Sequence, residues 1–177
     1  MKTIKTIVYD FDELSADAKE KAIKDLYIVN VEPDWFDCTY DDADDIGIKI
    51  SGFDIGRGAY CKGDFIESAE ETAQKIVDNH GKDCETYKTA TTYLKDRTKL
   101  VKKYSDGKTL DIVAEDNEYN FDNDCDNLDY DFLLSILEDY RILLSKVYDY
   151  LTSEEAIVET IEANKYTFTI DGTMKNA

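Results

Sequence analysis

The sequence predicts an α+β fold, in which a small and mostly antiparallel sheet of about four strands packs against several helices. The main observation is segment 128–151, where apolar residues recur at steps of three and four and form one broad helical face. Other segments alternate apolar and polar residues as strands do, and capping residues stand before several helical patterns. The central positions of the helical face are Leu133, Leu137, Tyr140, Leu144, Val147 and Leu151.

The N-terminal half is expected to mix strands and helices. Residues 3–9 are rich in Ile, Val and Thr and predict a strand. Ser15 is the expected N-cap of a first helix, and Pro33 suits the first turn of a second helix that ends at Gly47. A strand begins at Ile48, and the two glycines of 56–58 predict the turn of a hairpin.

The C-terminal half is expected to be mainly helical. Segment 87–101 predicts a helix, and the polar segment 105–127 is interpreted as a long acidic loop or insertion. Alternation over 166–170 predicts a last strand. Because the segment after the loop is too short to fold alone, the chain is treated as a single domain, 1–177. Two capping boxes are expected, formed by Ser68 with Glu71 and by Thr152 with Glu155.

The charge balance limits the class of partner. The chain has 21 Lys and Arg residues against 40 Asp and Glu residues, a formal net charge of −19. Such a charge repels nucleic acid and anionic membranes, so neither is expected as a direct ligand. The charged residues within 128–151 argue against a membrane span there. Four scattered cysteines without a CxxC pair, and no recognisable leader, predict free thiols in a cytoplasm.

Two stretches concentrate the acidic residues. Segment 32–45 has seven acids and segment 111–131 has nine, and neither contains a Lys or Arg. If 33–46 is helical, Asp34, Asp37, Asp41 and Asp44 form one row, with neighbours about 5 Å apart along the axis. A merely solvated acidic surface is the alternative interpretation of both stretches. The candidate partner-binding residues are Asp34, Asp37, Asp41, Asp42, Asp44, Asp45, Glu115, Asp116, Glu118, Asp122, Asp124 and Asp126.

Candidate catalytic residues are few. His80 is the only histidine, and its place near a predicted helix end favours a role in complementing the last helical carbonyls. Its spacing to the four cysteines matches no zinc motif. Asp10 and Asp12 after a strand are similar to the acidic pair of haloacid-dehalogenase-like phosphatases, but Leu14 stands where that motif has Thr or Val. A carboxylate-dependent metal hydrolase using Asp10 and Asp12 is therefore an alternative function.

Segment 122–126 resembles the opening of an EF-hand loop. The pattern then fails, because Asn127 replaces the required Gly and Leu133 replaces the bidentate Glu. At most weak calcium binding is expected there. No cofactor and no metal site are predicted.

Three segments, SGFDIGRGAYCKGDF, HGKDCETYKTA and SEEAIVETIEANKYTFTIDG, together resemble a family of small acidic proteins of bacteriophages and prophages. Members of that family are commonly labelled antitoxins of toxin–antitoxin stability systems. The resemblance implies no catalytic residues. It implies a counter-defence or antitoxin role in the cytoplasm of a bacterial host, and a soluble phage housekeeping protein is a further alternative.

Charge and resemblance together lead to one hypothesis. The chain is expected to be a non-enzymatic, acidic inhibitor that acts as a nucleic-acid mimic. Its partner would be a basic nucleic-acid-binding protein such as a toxin, a nuclease or a defence effector, since a surface rich in carboxylates complements one that binds phosphates.

Overall fold

The computed structural model describes residues 7–106 and 114–176, and over these residues it confirms the α+β fold. The strands do not form one sheet of about four, as predicted, but two smaller antiparallel sheets with the orders β1–β4–β5 and β2–β3. The elements are β1 (Tyr9–Asp10), a 3₁₀ turn (Phe11–Glu13), α1 (Ala16–Asp25), α2 (Asp37–Asp45), β2 (Ile48–Asp54), β3 (Tyr60–Phe65), α3 (Ala69–Asn79), α4 (Glu85–Asp106), α5 (Ala114–Leu151), α6 (Glu154–Asn164), β4 (Thr167–Phe168) and β5 (Met174–Asn176).

The chain divides into two compact units. Unit 1 combines both ends of the chain, Met1–Trp35 and Lys146–Ala177, and unit 2 is the continuous segment Phe36–Ser145. The sequence alone predicted a single domain. A unit assembled from two distant segments leaves no linker composition that would mark its boundary in the sequence.

Unit 1 packs α1 and α6 beside the three-stranded sheet. Ser15 caps α1 as expected, since its hydroxyl accepts the N–H of Ala18 at 3.3 Å. The predicted capping box at Thr152 and Glu155 is wrong by one residue: Ser153 caps α6, and the Thr152 hydroxyl instead donates to the Tyr148 carbonyl. The core comprises Phe11, Leu14, Ala18, Ala22, Leu26, Ile157, Ile161 and Phe168.

Unit 2 is built around the middle of α5, as the helical periodicity predicts. Phe132, Ile136, Leu137 and Tyr140 are all at most 4% exposed. They pack with apolar residues of α2, α3, α4 and the β2–β3 hairpin in one core. The hairpin turn contains Gly58 at φ +86°, a conformation that favours glycine. Ser68 and Glu71 form the predicted capping box of α3.

The predicted acidic loop at 105–127 is mostly helix. α4 continues to Asp106 and α5 begins at Ala114, while residues 107–113 lie outside the described part of the chain. Within this stretch, Asp124 accepts hydrogen bonds from two residues of α4, through Lys103 Nζ and the Tyr104 hydroxyl. Tertiary pairing therefore overrides the loop-like composition.

The predicted start of the second helix is also wrong. Pro33 lies in a turn before α2, where the Trp35 N–H donates to the Glu32 carbonyl at 3.2 Å. Proline fits the second position of such a turn as well as it fits a first helical turn, because both require the same φ. α2 therefore begins at Asp37.

Candidate partner-binding surface

Helix α2 has one apolar face and one acidic face. Ala43 and Ile46 are buried in the core of unit 2, at 0% and 1% exposure. Tyr40 packs against the rings of Phe36 and Phe53, with centroid distances of 4.9 and 6.1 Å. These contacts fix the rotation of the helix about its axis, so that the opposite face is presented outward.

The outward face carries a row of aspartates, which we call the α2 row: Asp37, Asp41, Asp44 and Asp45. All four are exposed, and Asp37 and Asp41 are about 6 Å apart along the axis. Asp44 accepts a hydrogen bond from Lys49 Nζ at 3.2 Å. Within the described part of the chain, no hydrogen bond or ion pair reaches the other three carboxylates. Three of the four charges of the row are thus unpaired among the described residues.

The α2 row is unfavourable for the helix itself. Like charges four residues apart, such as Asp41 and Asp45, destabilise a helix by a few tenths of a kcal/mol. Asp44 and Asp45 also lie in the last turn, where the helix dipole favours cations, and α2 has no basic residue there. Asp37, in the first turn, is the exception, because the helix dipole favours an acid there. The helix therefore depends mainly on its apolar contacts.

Asp34 does not belong to the row. It is exposed, but it lies in the turn before α2 and within unit 1. Its predicted place in the row came from extending the helix back to Pro33.

Asp42 was also predicted to bind a partner, but its side chain faces the interior of unit 2. Its Oδ2 accepts a hydrogen bond from the buried Tyr140 hydroxyl at 2.7 Å, and its Oδ1 lies 3.5 Å from Nε2 of His80. The contact with His80 and the Tyr140 hydrogen bond hold the pKa of the Asp42 carboxyl below its usual value, against the opposing effect of burial. Asp42 is therefore a structural acceptor.

His80 completes this network. It is the C-cap of α3, as its position suggested, but its ring contacts other elements of unit 2. Nδ1 lies 2.7 Å from the Thr86 hydroxyl near the start of α4, and the side chain is only 12% exposed. The contacts therefore join α2, α3, α4 and α5, and no local sequence pattern could have indicated this pairing.

Asp42→Asn is expected to change the response to acid. A carboxyl whose pKa is lowered in the folded state contributes stability above its unfolded pKa of about 3.9, and this contribution is lost as the pH falls through the folded pKa. We expect a loss of no more than about 1 kcal/mol at neutral pH, because the side chain is 47% exposed. The difference between the two proteins should shrink as the pH falls below about 4 and vanish only below the folded pKa. Urea unfolding at pH 7 and pH 3 measures this.

Asp41→Asn, on the outward face of the same helix, is the control for this pH experiment. It removes one carboxylate that has no partner among the described residues. Its unfolding free energy should therefore follow wild type at both pH values. Equal behaviour of the two variants would contradict the role assigned to Asp42.

In the second acidic stretch and beyond it, some acidic residues of α5 accept hydrogen bonds from α4. Lys103 and Tyr104 donate to Asp124, the Tyr93 hydroxyl donates to Asp129 at 2.7 Å, and the Thr89 hydroxyl donates to Asp139 at 2.7 Å. Later residues of α4 meet earlier residues of α5, so the two helices run antiparallel. This series of donors was not predicted from the sequence, although eight Lys and Arg residues lie between Lys82 and Lys108.

Two of the predicted residues of this stretch remain outward. Asp122 and Asp126 are exposed on α5, whereas Asp124 is half-buried between the helices. The side chains of Glu115, Asp116 and Glu118 lie outside the described residues. The α2 row is therefore the better-defined candidate surface, because all four of its side chains are described and exposed.

The segment that resembles the opening of an EF-hand loop is helical in the structure. Asp122, Asp124 and Asp126 lie on a continuous helix, where residues two apart do not face each other. In the described part of the chain, no three His, Cys, Asp or Glu side chains are grouped so as to hold a metal. All four cysteines are unpaired thiols, and burial raises the pKa of Cys61 to about 11.

Asp10 and Asp12 each make a local structural contact. The Asp10 side chain accepts the Glu13 N–H, and the Asp10 N–H donates back to the Glu13 carboxylate at 3.0 Å, so Asp10 caps the 3₁₀ turn. Asp12 is 86% exposed and lies 3.7 Å from Lys19 Nζ. The two carboxylates thus have separate partners, Glu13 and Lys19, and do not converge on one ligand position among the described residues.

The described helices include none that combines the length and apolar character needed to cross a membrane. Comparison with protein-family models, with curated proteins and with solved structures finds no match to this chain.

Proposed function

We propose that this protein is a non-enzymatic acidic inhibitor that covers the basic, nucleic-acid-binding surface of a partner protein. The observation that carries the proposal is the α2 row, in which four exposed aspartates are held on one helix face and three have no partner among the described residues. A preorganised row of anions binds Lys and Arg side chains without the cost of first ordering itself.

The spacing of the row supports mimicry of a phosphate backbone. Asp37 and Asp41 are about 6 Å apart along the helix axis. Every second phosphate of one DNA strand advances by roughly 6.8 Å along the duplex. A single row still provides fewer charges than a duplex, so the remaining acidic surface contributes, consistent with a net charge of −19.

The partner class is inferred from the same charge argument. A basic protein that binds nucleic acid offers clustered Lys and Arg, and a toxin, a nuclease or a defence effector of a bacterial host fits this description. The resemblance to phage and prophage antitoxins supports this class and a cytoplasmic site of action.

The test is a charge-removal variant. Changing the four aspartates of the α2 row to Asn should weaken binding to the partner, first isolated by affinity capture from the host, by about tenfold or more, since exposed charge pairs contribute roughly 0.2–1 kcal/mol each. Association should slow more than dissociation accelerates, and added salt should weaken wild type more than the variant. Surface plasmon resonance at several salt concentrations measures all three quantities.

The control variant removes the same charge elsewhere. The residues changed to Asn are exposed aspartates outside the candidate set: Asp25, Asp64, Asp83 and Asp131. Both variants should stay folded, because relief of repulsion between like charges does not destabilise a helix. Equal affinity and equal salt dependence of the two variants would exclude the α2 row from the interface.

A further inference from the structure

A polar cavity of about 480 Å³ lies within unit 1. It is formed by residues 29–32, the C-terminal end of α5 and one side of α6. Its volume is in the range of small-ligand sites, roughly 300–1,000 Å³. The buried Ala156 and the half-buried Thr160 lie on the α6 side, while Glu32, Tyr150 and Glu159 are exposed.

Some hydrogen-bond donors of the lining are used within the protein. Asn30 Nδ2 donates to the Leu151 carbonyl at 3.1 Å, and the Thr160 hydroxyl donates to Asn30 Oδ1 at 2.6 Å. Asn164 Nδ2 donates to the Thr160 carbonyl at 2.9 Å. One N–H of each amide and the hydroxyls of the two tyrosines have no such bond within the described part of the chain, so the lining can donate as well as accept hydrogen bonds.

The charged and aromatic residues of the lining point to a cation. Glu32 and Glu159 contribute two carboxylates, and no hydrogen bond or ion pair from the described residues reaches either side chain. Tyr150 and Tyr166 contribute aromatic rings, which attract cations. No Lys or Arg is among the described residues that line the cavity.

We propose that this cavity binds the guanidinium group of an arginine side chain presented by the basic partner. Guanidinium is planar, offers five N–H donors and stacks on aromatic rings, which suits a site with several acceptors and two tyrosines. The source of the arginine rests on the proposed function, whereas the cation preference of the cavity stands on the cavity alone. A bare metal ion is disfavoured as the ligand, because the described part of the chain has no cluster of three His, Cys, Asp or Glu side chains that could coordinate one.

The experiment uses the full protein and simple probes. N-acetylarginine methylamide is titrated into isotope-labelled protein, and amide chemical shifts are followed by NMR. We expect saturable shifts at residues 29–32 and along α6 at millimolar concentrations. The neutral isostere N-acetylcitrulline methylamide should produce none. The lysine analogue should bind more weakly, because it has fewer donors and no planar group.

Variants then test the two carboxylates. Glu32→Gln with Glu159→Gln should weaken arginine-probe binding about three- to tenfold, in line with two exposed charge pairs. Glu155→Gln with Glu162→Gln is the matched control, because both residues are exposed on α6 and neither lines the cavity. Equal binding by the double variant and the control, or equal shifts with the citrulline probe, would overturn the proposal.

Two further measurements test whether the bound guanidinium comes from an arginine side chain, and whether the cavity binds it independently of the α2 row. Methylguanidine, a free guanidinium compound with the same single charge as the arginine probe, should bind no more tightly than that probe; clearly tighter binding would overturn the assignment to an arginine side chain. The α2 row variant should bind the arginine probe like wild type, since none of its substituted residues lines the cavity. If wild type binds the partner as proposed but does not bind the arginine probe, this inference alone is contradicted. If wild type binds the arginine probe but no basic partner, the proposed function alone is contradicted.

Discussion

Leu137→Ala is expected to lower the free energy of unfolding by about 2–5 kcal/mol, the usual range for truncating a buried leucine. Leu137 is 4% exposed and lies in the core of unit 2 with Ile136 and Tyr140. The substitution removes contacts with the β2–β3 hairpin and leaves a cavity that a rigid core fills only in part. Leu144→Ala, at a fully buried position of the same helix, is expected in the same range.

Leu134→Ala is the matched control for this prediction. Leu134 lies on the same helix three residues before Leu137, but it is 47% exposed. The same chemical change should therefore cost less than about 1 kcal/mol. Chemical denaturation of the three variants at one pH measures these differences. Equal losses at Leu134 and Leu137 would mean that the buried face of α5 is wrongly assigned.

Gly63→Ala is the second substitution with a large expected effect. A Cβ at Gly63 would lie 2.5 Å from the Lys49 carbonyl oxygen and 3.2 Å from Ile50 Cα, both on the paired strand β2. Neither is the end of a flexible side chain, so the hairpin would have to shift. The added Cβ would also lie 3.1 Å from Cδ2 of Leu137, which is tighter than an ordinary van der Waals contact. We expect a loss of about 1–3 kcal/mol, typical of overpacking.

Gly52→Ala is the control in the neighbouring strand. No heavy atom lies within 4 Å of a Cβ placed at Gly52. The substitution should change the free energy of unfolding by less than about 0.5 kcal/mol. Thermal melts of the two variants, compared with wild type, test both values. A larger loss at Gly52 than at Gly63 would contradict the register and packing of the hairpin.

Parts of this fold with a local sequence signal were predictable. The spacing of Phe132, Leu137 and Tyr140 marks the buried face of α5, and Ser68 with Glu71 marks the start of α3 because a capping box acts within four residues. The glycines at 56–58 mark the hairpin turn for a similar reason, since Gly58 adopts a positive φ.

The features that were missed depend on contacts between distant residues. Asp124 looks like a loop residue in the sequence, but Lys103 and Tyr104 neutralise it within a helix pair. Asp42 follows the exposed Asp41 directly, yet a change of about 100° around the helix turns it toward Tyr140 and His80. The cavity of unit 1 brings Asn30 together with Thr160, which no short-range pattern encodes.

The most direct test of the proposed function is a competition measurement. Labelled duplex DNA or RNA is first bound to the purified partner, and this protein is then added while fluorescence anisotropy reports the bound nucleic acid. We expect complete displacement, with an inhibition constant equal to the dissociation constant of the protein–partner complex, and a weaker effect at higher salt because the interface is charged. Formation of a ternary complex, in which the partner holds both ligands without loss of affinity for either, would contradict the account.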